Sequence, residues 1–188
     1  MSTIVAVKKN GCIVIAADSL TTFGDTRLPA VDDAAWDKIH RYRDSHIGIV
    51  GSAAHLLVIQ SIFTEDADFD LSNRAAIFET FRSLHPRLKE EYFLNPKEDE
   101  DDAYESTRMD ALIANPDGIF GLFSLREVFE YQRFWAVGSG ADYALGAMHA
   151  LWERENDAEA IARAGVEAGA AFNNATSLPM TLYSMEAR

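Results

Sequence analysis

Two runs of mostly β-branched residues joined by Asn10-Gly11 are the feature that most constrains the fold. The first run is Thr3-Ile4-Val5-Ala6-Val7 and the second is Cys12-Ile13-Val14-Ile15-Ala16-Ala17. Asn-Gly between such runs is a strong signal for a β-hairpin with a two-residue turn. The hairpin brings the start of its first strand close to the end of its second, so we expect Ser2 and Asp18 to be neighbours in space.

The remaining elements come in blocks rather than in strict alternation. Blocks of strands and helices favour two sheets packed face to face with helix layers outside, not an alternating parallel α/β fold. In chain order we predict a strand ending at Val50, a buried helix from Ala53 to Phe63, a helix capped by Ser72 and interrupted or kinked at Pro86, a hairpin of strands 109–114 and 119–124, a strand at 134–137, helices at 141–152 and 158–172, and a strand at 180–185.

The composition is that of one soluble domain. The 188 residues are 48% hydrophobic and 25% charged, so we expect residues 1–188 to form a single domain with a substantial core. The N-terminus lacks a signal-peptide pattern, and no segment approaches the ~18 apolar residues needed to cross a bilayer. We therefore expect a cytoplasmic protein that does not bind a membrane.

The cysteine and histidine content argues against metal chemistry. Cys12 is the single cysteine, and its place in a predicted strand favours a buried small hydrophobe. No Cys/His cluster has metal-ligand spacing, so we expect no metal site and no cofactor.

The formal net charge of −13 argues against nucleic acid as a partner. Much of the acidity falls in residues 65–70 and 97–102. Two interpretations remain open: solvated loops, or surfaces that line a lumen or meet a partner. Acidic runs that faced a lumen would attract basic peptides and disfavour acidic ones.

Ser2 is a candidate N-terminal nucleophile. A serine at the start of a chain carries its own base, an α-amine with an ordinary pKa of ~7.7–8.0. Removal of Met1 is chemically plausible because the side chain that follows it is small. The predicted hairpin brings Asp18 close to Ser2, and Lys38 is a candidate for the cation of such a site.

Four motifs in order resemble the proteasome β-subunit family of N-terminal nucleophile hydrolases, and the resemblance covers essentially the whole chain. They are the opening from Thr3 to Val7, the continuation through Asn10-Gly11 to Ser19, Val50-Gly51-Ser52-Ala53-Ala54 and Val137-Gly138-Ser139-Gly140. The opening is also similar to that of the bacterial unfoldase-dependent proteasome-like peptidase. The length and the sequence Asp18-Ser19-Leu20-Thr21-Thr22-Phe23-Gly24-Asp25 are most similar to the betaproteobacterial proteasome homologue.

The resemblance implies an α+β fold, the four-layer αββα sandwich of two antiparallel sheets flanked by helices. It also implies a peptidase of the threonine-protease type that cuts peptides or unfolded proteins inside a double ring of identical subunits. A tetradecamer is favoured, a dodecamer is the alternative, and an unfoldase partner of unknown identity is open.

The resemblance also implies the catalytic roles. Ser2 supplies the attacking oxygen and the basic amine. Lys38 lies beside Ser2 and promotes loss of its proton, and Asp18 pairs with Lys38 and orients it. Gly51 offers its backbone N–H to the oxyanion. Ser139 completes the hydrogen bonds around the amine.

Substrate binding is implied at three further positions. Thr22 and Ala53 lie in segments that pair with an extended peptide as an added strand. Ile49 helps to shape the pocket for the side chain before the cut.

Three departures from the family pattern keep alternatives open. The nucleophile position is serine, not threonine, and the loop from Phe23 to Asp37 is long enough to suggest a substrate gate. Many relatives carry an aspartate near the end of the late helix, where Asn173 or Asn174 is a possible substitute here. The alternative functions are a small-molecule amidase of the same mechanism and a catalytically silent ring or scaffold.

Overall fold

The computed structural model describes residues 2–94, 105, 109–124 and 127–188. In chain order the elements are β1 (Ile4–Lys9), β2 (Cys12–Asp18), β3 (Thr21–Phe23), β4 (Thr26–Leu28), β5 (Ile39–Tyr42), β6 (Ser45–Val50), α1 (Ala53–Ile62), α2 (Arg74–Glu90), β7 (Asp110–Asn115), β8 (Gly118–Phe123), β9 (Glu127–Tyr131), β10 (Phe134–Val137), α3 (Ala141–Leu151), α4 (Ala158–Phe172) and β11 (Met180–Glu186).

The predicted first hairpin is confirmed. Strands β1 and β2 pair antiparallel, with Ile4 opposite Ala17. The turn residues Asn10 and Gly11 have φ of 50° and 77°, both in the left-handed region that a two-residue hairpin turn of this type requires. The local Asn-Gly signal was sufficient here because the turn conformation is decided by the turn residues themselves.

The strands form two main antiparallel sheets and a small one. The first sheet has the order β10-β1-β2-β11 and the second β5-β6-β7-β8-β9, while β3 and β4 pair with each other. The sequence pattern did not predict β3, β4, β5 or β9. Each has only three to five residues, too few for a clear alternation.

Alternating residues of β1 show how the layers stack. Ile4 and Ala6 pack into the core between the two sheets, whereas Val5 and Val7 pack against α3 and α4 on the outer face. A third core lies between the second sheet and helices α1 and α2, where Phe81 and Phe120 are each 1% exposed. The result is helix, sheet, sheet, helix, which confirms the predicted αββα sandwich.

The cap of α2 differs from the prediction, and the predicted alternative of an interruption at Pro86 is wrong. Asn73, not Ser72, caps the helix, because its side chain accepts hydrogen bonds from the N–H groups of Ala75 and Ala76 at 3.0 Å. The helix also continues through Pro86 without a break. Pro86 and Arg82 are both exposed, so water can satisfy the carbonyl that the proline leaves without its helical partner.

Burial also corrects two predictions. Helix α1 is not buried all round: Val58 and Ile59 face the core, whereas Leu57 is 66% exposed. Cys12 is only partly buried, at the start of β2. Burial raises the pKa of its thiol, and nearby Glu159 adds to that effect.

The first acidic run is largely exposed, with Asp68 paired to Arg43 at 3.1 Å. The second run, residues 97–102, lies outside the described residues. Within the described part of the chain, no helix is long and apolar enough to span a membrane. The same residues contain no group of three His, Cys, Asp or Glu side chains that could hold a metal ion.

Lys9 ties the first hairpin to the connection between α3 and α4. Its ammonium donates hydrogen bonds to the carbonyl oxygens of Trp152 and Glu155, the latter at 2.7 Å. The same ammonium lies 4.2 Å from the centroid of the Trp152 ring. One lysine therefore satisfies carbonyls just beyond the end of α3, where the negative end of the helix dipole favours a cation.

We expect Lys9→Met to lower the free energy of unfolding by about 1–2 kcal/mol, since it removes charged hydrogen bonds to two carbonyls. Thermal unfolding followed by circular dichroism checks this. Lys8→Met is the matched control, because Lys8 points to the opposite face of the same strand. Equal losses of Tm in the two variants would show that the carbonyl contacts are not the cause.

Candidate active site

Ser2 precedes β1 and packs against the loop between β10 and α3. It is 5% exposed, and its carbonyl oxygen accepts a hydrogen bond from the Gly140 N–H at 3.3 Å. Gly138 has a φ of +95°, and a Cβ there would lie 2.1 Å from the Ser2 oxygen. Only glycine fits such an approach, so the Gly138-Ser139-Gly140 motif holds Ser2 through its glycines.

Thr3 is fully buried, and its hydroxyl is enclosed. Its Oγ1 lies 2.9 Å from the Thr176 Oγ1. A Cβ at Gly140 or Gly169 would lie 2.0 Å or 2.4 Å from the same oxygen. The hydroxyl next to Ser2 is therefore already paired and surrounded.

Asp18 and Lys38 form a buried ion pair beside the Ser2–Thr3 peptide. Lys38 Nζ donates to Asp18 Oδ1 at 2.8 Å and to the Leu20 carbonyl at 2.7 Å. The Thr3 N–H donates to the same Asp18 Oδ1 at 2.9 Å. Because both nitrogens bind one oxygen, the ammonium of Lys38 lies close to the backbone that carries Ser2.

The electrostatics of Lys38 are set by opposing effects. Its side chain is 11% exposed and that of Asp18 is 0% exposed. Burial lowers the pKa of Lys38, and the neighbouring Asp18 carboxylate partly offsets this. A buried lysine whose pKa is lowered and which is paired with a carboxylate is a candidate for a catalytic role.

Gly51 has the backbone geometry expected of a special glycine. It follows β6 with a φ of +114°, in the region that side chains with a Cβ rarely adopt. It is exposed and leads into α1, which Ser52 caps by accepting from the Ala54 N–H at 3.3 Å. Its N–H therefore belongs to an exposed turn at a helix start rather than to a sheet interior.

Ser139 is bound to Asn173, the residue that ends α4. Ser139 Oγ donates to Asn173 Oδ1 at 3.1 Å, and Asn173 Nδ2 donates to the Ser139 carbonyl at 2.9 Å. The Ala175 N–H also donates to Asn173 Oδ1 at 2.9 Å. A backbone N–H can only donate, so this third bond fixes which end of the amide is the oxygen.

That orientation explains why an amide suits position 173. An aspartate there accepts from Ser139 Oγ and from the Ala175 N–H, but it cannot donate to the Ser139 carbonyl. Of the two asparagines considered from the sequence, the geometry favours Asn173.

The three predicted substrate-binding residues lie in different settings. Thr22 is partly exposed on β3, opposite Arg27 of β4. Ala53 is exposed at the first position of α1. Ile49 is 6% exposed and packs into the core on the α1 and α2 side of its sheet, so its role in a pocket stays a prediction.

Sequence reasoning missed the partners that enclose the start of the chain. Thr176 and Ser177 meet Thr3 and Asp18 from near the C-terminus, and no local pattern signals this. Gly169 did offer a signal, because a glycine inside a helix costs roughly 1 kcal/mol relative to alanine and needs a reason. The reason is its contact with Thr3.

No protein-family model matches the chain, and no curated protein matches it either. Among solved structures, the chain is similar to the bacterial proteasome homologue (BPH) of Thiobacillus denitrificans in complex with epoxomicin. The two share 42% identity over 99% of each chain, with a TM-score of 0.91. A second structure of Thiobacillus denitrificans BPH gives 43% identity, coverage of 99% of this chain and 98% of that chain, and a TM-score of 0.90.

A more distant similarity extends to the eukaryotic HslV from Trypanosoma brucei. That structure shares 20% identity, covers 98% of this chain and 99% of its own, and has a TM-score of 0.67. At this identity the match supports the fold alone. The identity to BPH extends over nearly the whole chain. The chain therefore belongs to the proteasome β-subunit family of N-terminal nucleophile hydrolases, as a bacterial proteasome homologue and a proteasome-type peptidase subunit.

Proposed function

We propose that this peptidase subunit cuts peptide bonds with Ser2, which becomes the N-terminal residue when Met1 is removed. The observation that carries the proposal is the single oxygen, Asp18 Oδ1, that binds both Lys38 Nζ and the Thr3 N–H. It keeps a buried ammonium next to the residue that bears the proposed nucleophile. The similarity to a relative solved in complex with epoxomicin supports the proposal.

Ser2 is preferred over Thr3 as the source of the attacking oxygen. The Thr3 hydroxyl is paired with Thr176 and enclosed by Gly140 and Gly169. A substrate carbonyl could reach it only after these groups moved apart. Ser2 also offers what Thr3 cannot, an α-amine on the same residue once Met1 is gone.

In the proposed reaction, Ser2 Oγ attacks the carbonyl carbon of the scissile peptide bond while its proton passes to the α-amine. The amine then delivers this proton to the nitrogen of the departing peptide. Water releases the acyl group from Ser2 by the reverse sequence of proton transfers. The Lys38 ammonium favours the ionised form of the hydroxyl and disfavours the protonated form of the amine, so both groups shift toward reactivity near neutral pH.

Two further roles are part of the proposal. Gly51 donates its N–H to the oxyanion of the tetrahedral intermediate, an interaction whose loss typically costs about 10²–10³ in rate. Ser139, held by Asn173, orients the α-amine.

Peptide binding by strand addition is proposed along the segments of Thr22 and Ala53. Among the described residues, β3 pairs only with β4, which leaves its other edge available to an extended peptide. Ile49 is proposed to help shape the pocket for the side chain before the cut, from a buried position on the strand that leads to Gly51.

The nucleophile is tested by intact mass of the native protein before and after exposure to epoxomicin. Epoxomicin is a peptide epoxyketone, which requires a hydroxyl and a free α-amine on one residue. We expect loss of Met1 and one adduct per chain, mapped to Ser2. Ser2→Ala is expected to abolish both the adduct and peptide turnover.

Retention of Met1, or an adduct mapped to Thr3, would overturn the assignment. Lys38→Met provides a second check, because Lys38 does not bond to the inhibitor in this scheme. It is expected to leave Met1 removal intact and to slow adduct formation by at least about 10²-fold, because the substitution removes the charge that activates the nucleophile.

Asn173→Asp is expected to reduce kcat by about three- to tenfold, the equivalent of one lost hydrogen bond. The substitution replaces the donor to the Ser139 carbonyl with an oxygen, so the two atoms repel. Asn174→Asp adds the same charge one residue further on and serves as the control. Steady-state peptide hydrolysis checks this; an unchanged Asn173→Asp enzyme would separate Asn173 from the activity.

For assembly we propose that residues 1–188 form one domain that builds a double ring of fourteen identical subunits, with a dodecamer as the alternative. Phe172 is 71% exposed and Tyr143 is 45% exposed, and the centroids of their rings are 5.7 Å apart. Such an exposed aromatic pair suits a subunit contact. Trp135 and Trp152, in contrast, pack against the cores of this subunit.

Native mass spectrometry is expected to give fourteen copies for the wild type. Phe172→Ser is expected to shift the population toward smaller species, because it removes apolar area from the proposed contact. Phe93→Ser is the control, since Phe93 is also exposed, at 84%, and lies apart from this pair in the sequence. A stable monomer at all concentrations would contradict the ring.

A further inference from the structure

Asp37, the residue before Lys38, is held by the C-terminal strand. Tyr183 of β11 donates its hydroxyl to Asp37 Oδ2 at 2.6 Å. The other carboxylate oxygen, Oδ1, accepts the Ile39 N–H at 2.9 Å. The Asp37 carboxylate thus spans the Lys38 position and connects it to a strand almost 150 residues further along the chain.

The Tyr183 side chain is itself firmly placed. Tyr183 pairs with Ile15 of β2, and its ring packs against the His46 ring of β6 at a tilt of 31°, with centroids 4.7 Å apart. It packs against the core between the two sheets. Burial, with the hydrogen bond to Asp37, raises the pKa of Tyr183 to about 12, so the hydroxyl stays a donor at neutral pH.

Lys38 depends on this support because its main chain lies in a loop just before β5. Its carbonyl oxygen accepts the Ile49 N–H at a long 3.4 Å. The side chain then extends through four rotatable bonds to Asp18. The ammonium is held at the far end by Asp18 Oδ1 and the Leu20 carbonyl. A shift of the Lys38 backbone therefore has to change the side-chain rotamers or lengthen these two hydrogen bonds.

The same C-terminal stretch reaches the other parts of the site. Thr176 binds the Thr3 hydroxyl, and the Ser177 N–H donates to Asp18 Oδ2 at 3.3 Å. The C-terminal stretch therefore contacts Thr3 and Asp18 directly, and through Tyr183 and Asp37 it also reaches the segment that carries Lys38.

We propose that Tyr183 is a positioning residue: its hydrogen bond to Asp37 holds the Lys38 segment so that the ammonium lies correctly beside Ser2. The inference rests on the proposed function, in which Lys38 promotes attack by Ser2. Tyr183 touches neither substrate nor reacting atoms and acts through Asp37 alone.

The test compares Tyr183→Phe, Asp37→Ala and the double variant with the wild type in steady-state peptide hydrolysis. Tyr183→Phe keeps the ring packed against His46 and removes only the hydroxyl. We expect kcat to fall by about tenfold with KM changed less than about twofold, because misplacement affects the chemical step more than peptide binding. In the Asp37→Ala background, the further change from Tyr183→Phe is expected to vanish.

Tyr131→Phe is the matched control. Tyr131 lies at the end of β9 and stacks on Trp135 with centroids 4.8 Å apart. Within the described part of the chain it forms no hydrogen bond or ring contact with Asp37, Lys38 or Ser2. Its loss of a hydroxyl is expected to leave kcat unchanged. An equal fall of kcat in Tyr131→Phe and Tyr183→Phe, or a Tyr183→Phe effect that persists without Asp37, would overturn the inference.

Hydrogen exchange of the segment 34–42, read by mass spectrometry, separates this inference from the proposed function. We expect faster exchange there in Tyr183→Phe than in the wild type, and no change in Tyr131→Phe. If exchange is faster in Tyr183→Phe but the wild type itself lacks peptide turnover, the proposed function is refuted, and support of the Lys38 segment by Tyr183 still stands. Unchanged exchange and unchanged kcat in Tyr183→Phe would refute the positioning role while an active wild type upholds the proposed function.

Discussion

The carboxylate of Asp18 is the interaction on which the rest of the site depends. It is fully buried and accepts four hydrogen bonds: from the Thr3 N–H, Lys38 Nζ, the Leu20 N–H and the Ser177 N–H. These donors come from the start of the chain, from the strand end itself, from the loop before β5 and from the segment before β11. One side chain therefore brings four stretches of backbone to one point.

A buried ion pair of this kind is costly as well as specific. Taking both charges out of water carries a desolvation penalty that their attraction only partly repays, whereas removal of one partner leaves an uncompensated charge. The Asp18–Lys38 pair is tolerated because every oxygen lone pair that faces the protein has a donor. Apolar residues of similar volume are often at least as stable in place of a buried ion pair, so stability alone does not account for this pair, whereas the proposed role beside Ser2 does.

Elements with strong local signals were predictable from the sequence. The hairpin at Asn10-Gly11 and the extent of α4 from Ala158 to Phe172 agree with the structure because turn conformation and helical periodicity are local properties. The predictions failed where a local signal was overridden. Ser72 could have capped α2 but Asn73 does, and Pro86 sits inside a helix whose packed face outweighs one lost hydrogen bond.

By itself, the sequence determined the order of the four helices and of most of the strands, the αββα class and the closeness of Ser2 to Asp18, because one hairpin dictates that closeness. Only the tertiary structure decided which distant groups lie around the candidate site. Asn173 and Asn174 are equivalent in composition, and the choice between them depends on the distance to Ser139. The link from Tyr183 to Asp37 likewise has no sequence signal, because a hydrogen bond between remote residues depends on how the sheets pack and not on neighbours along the chain.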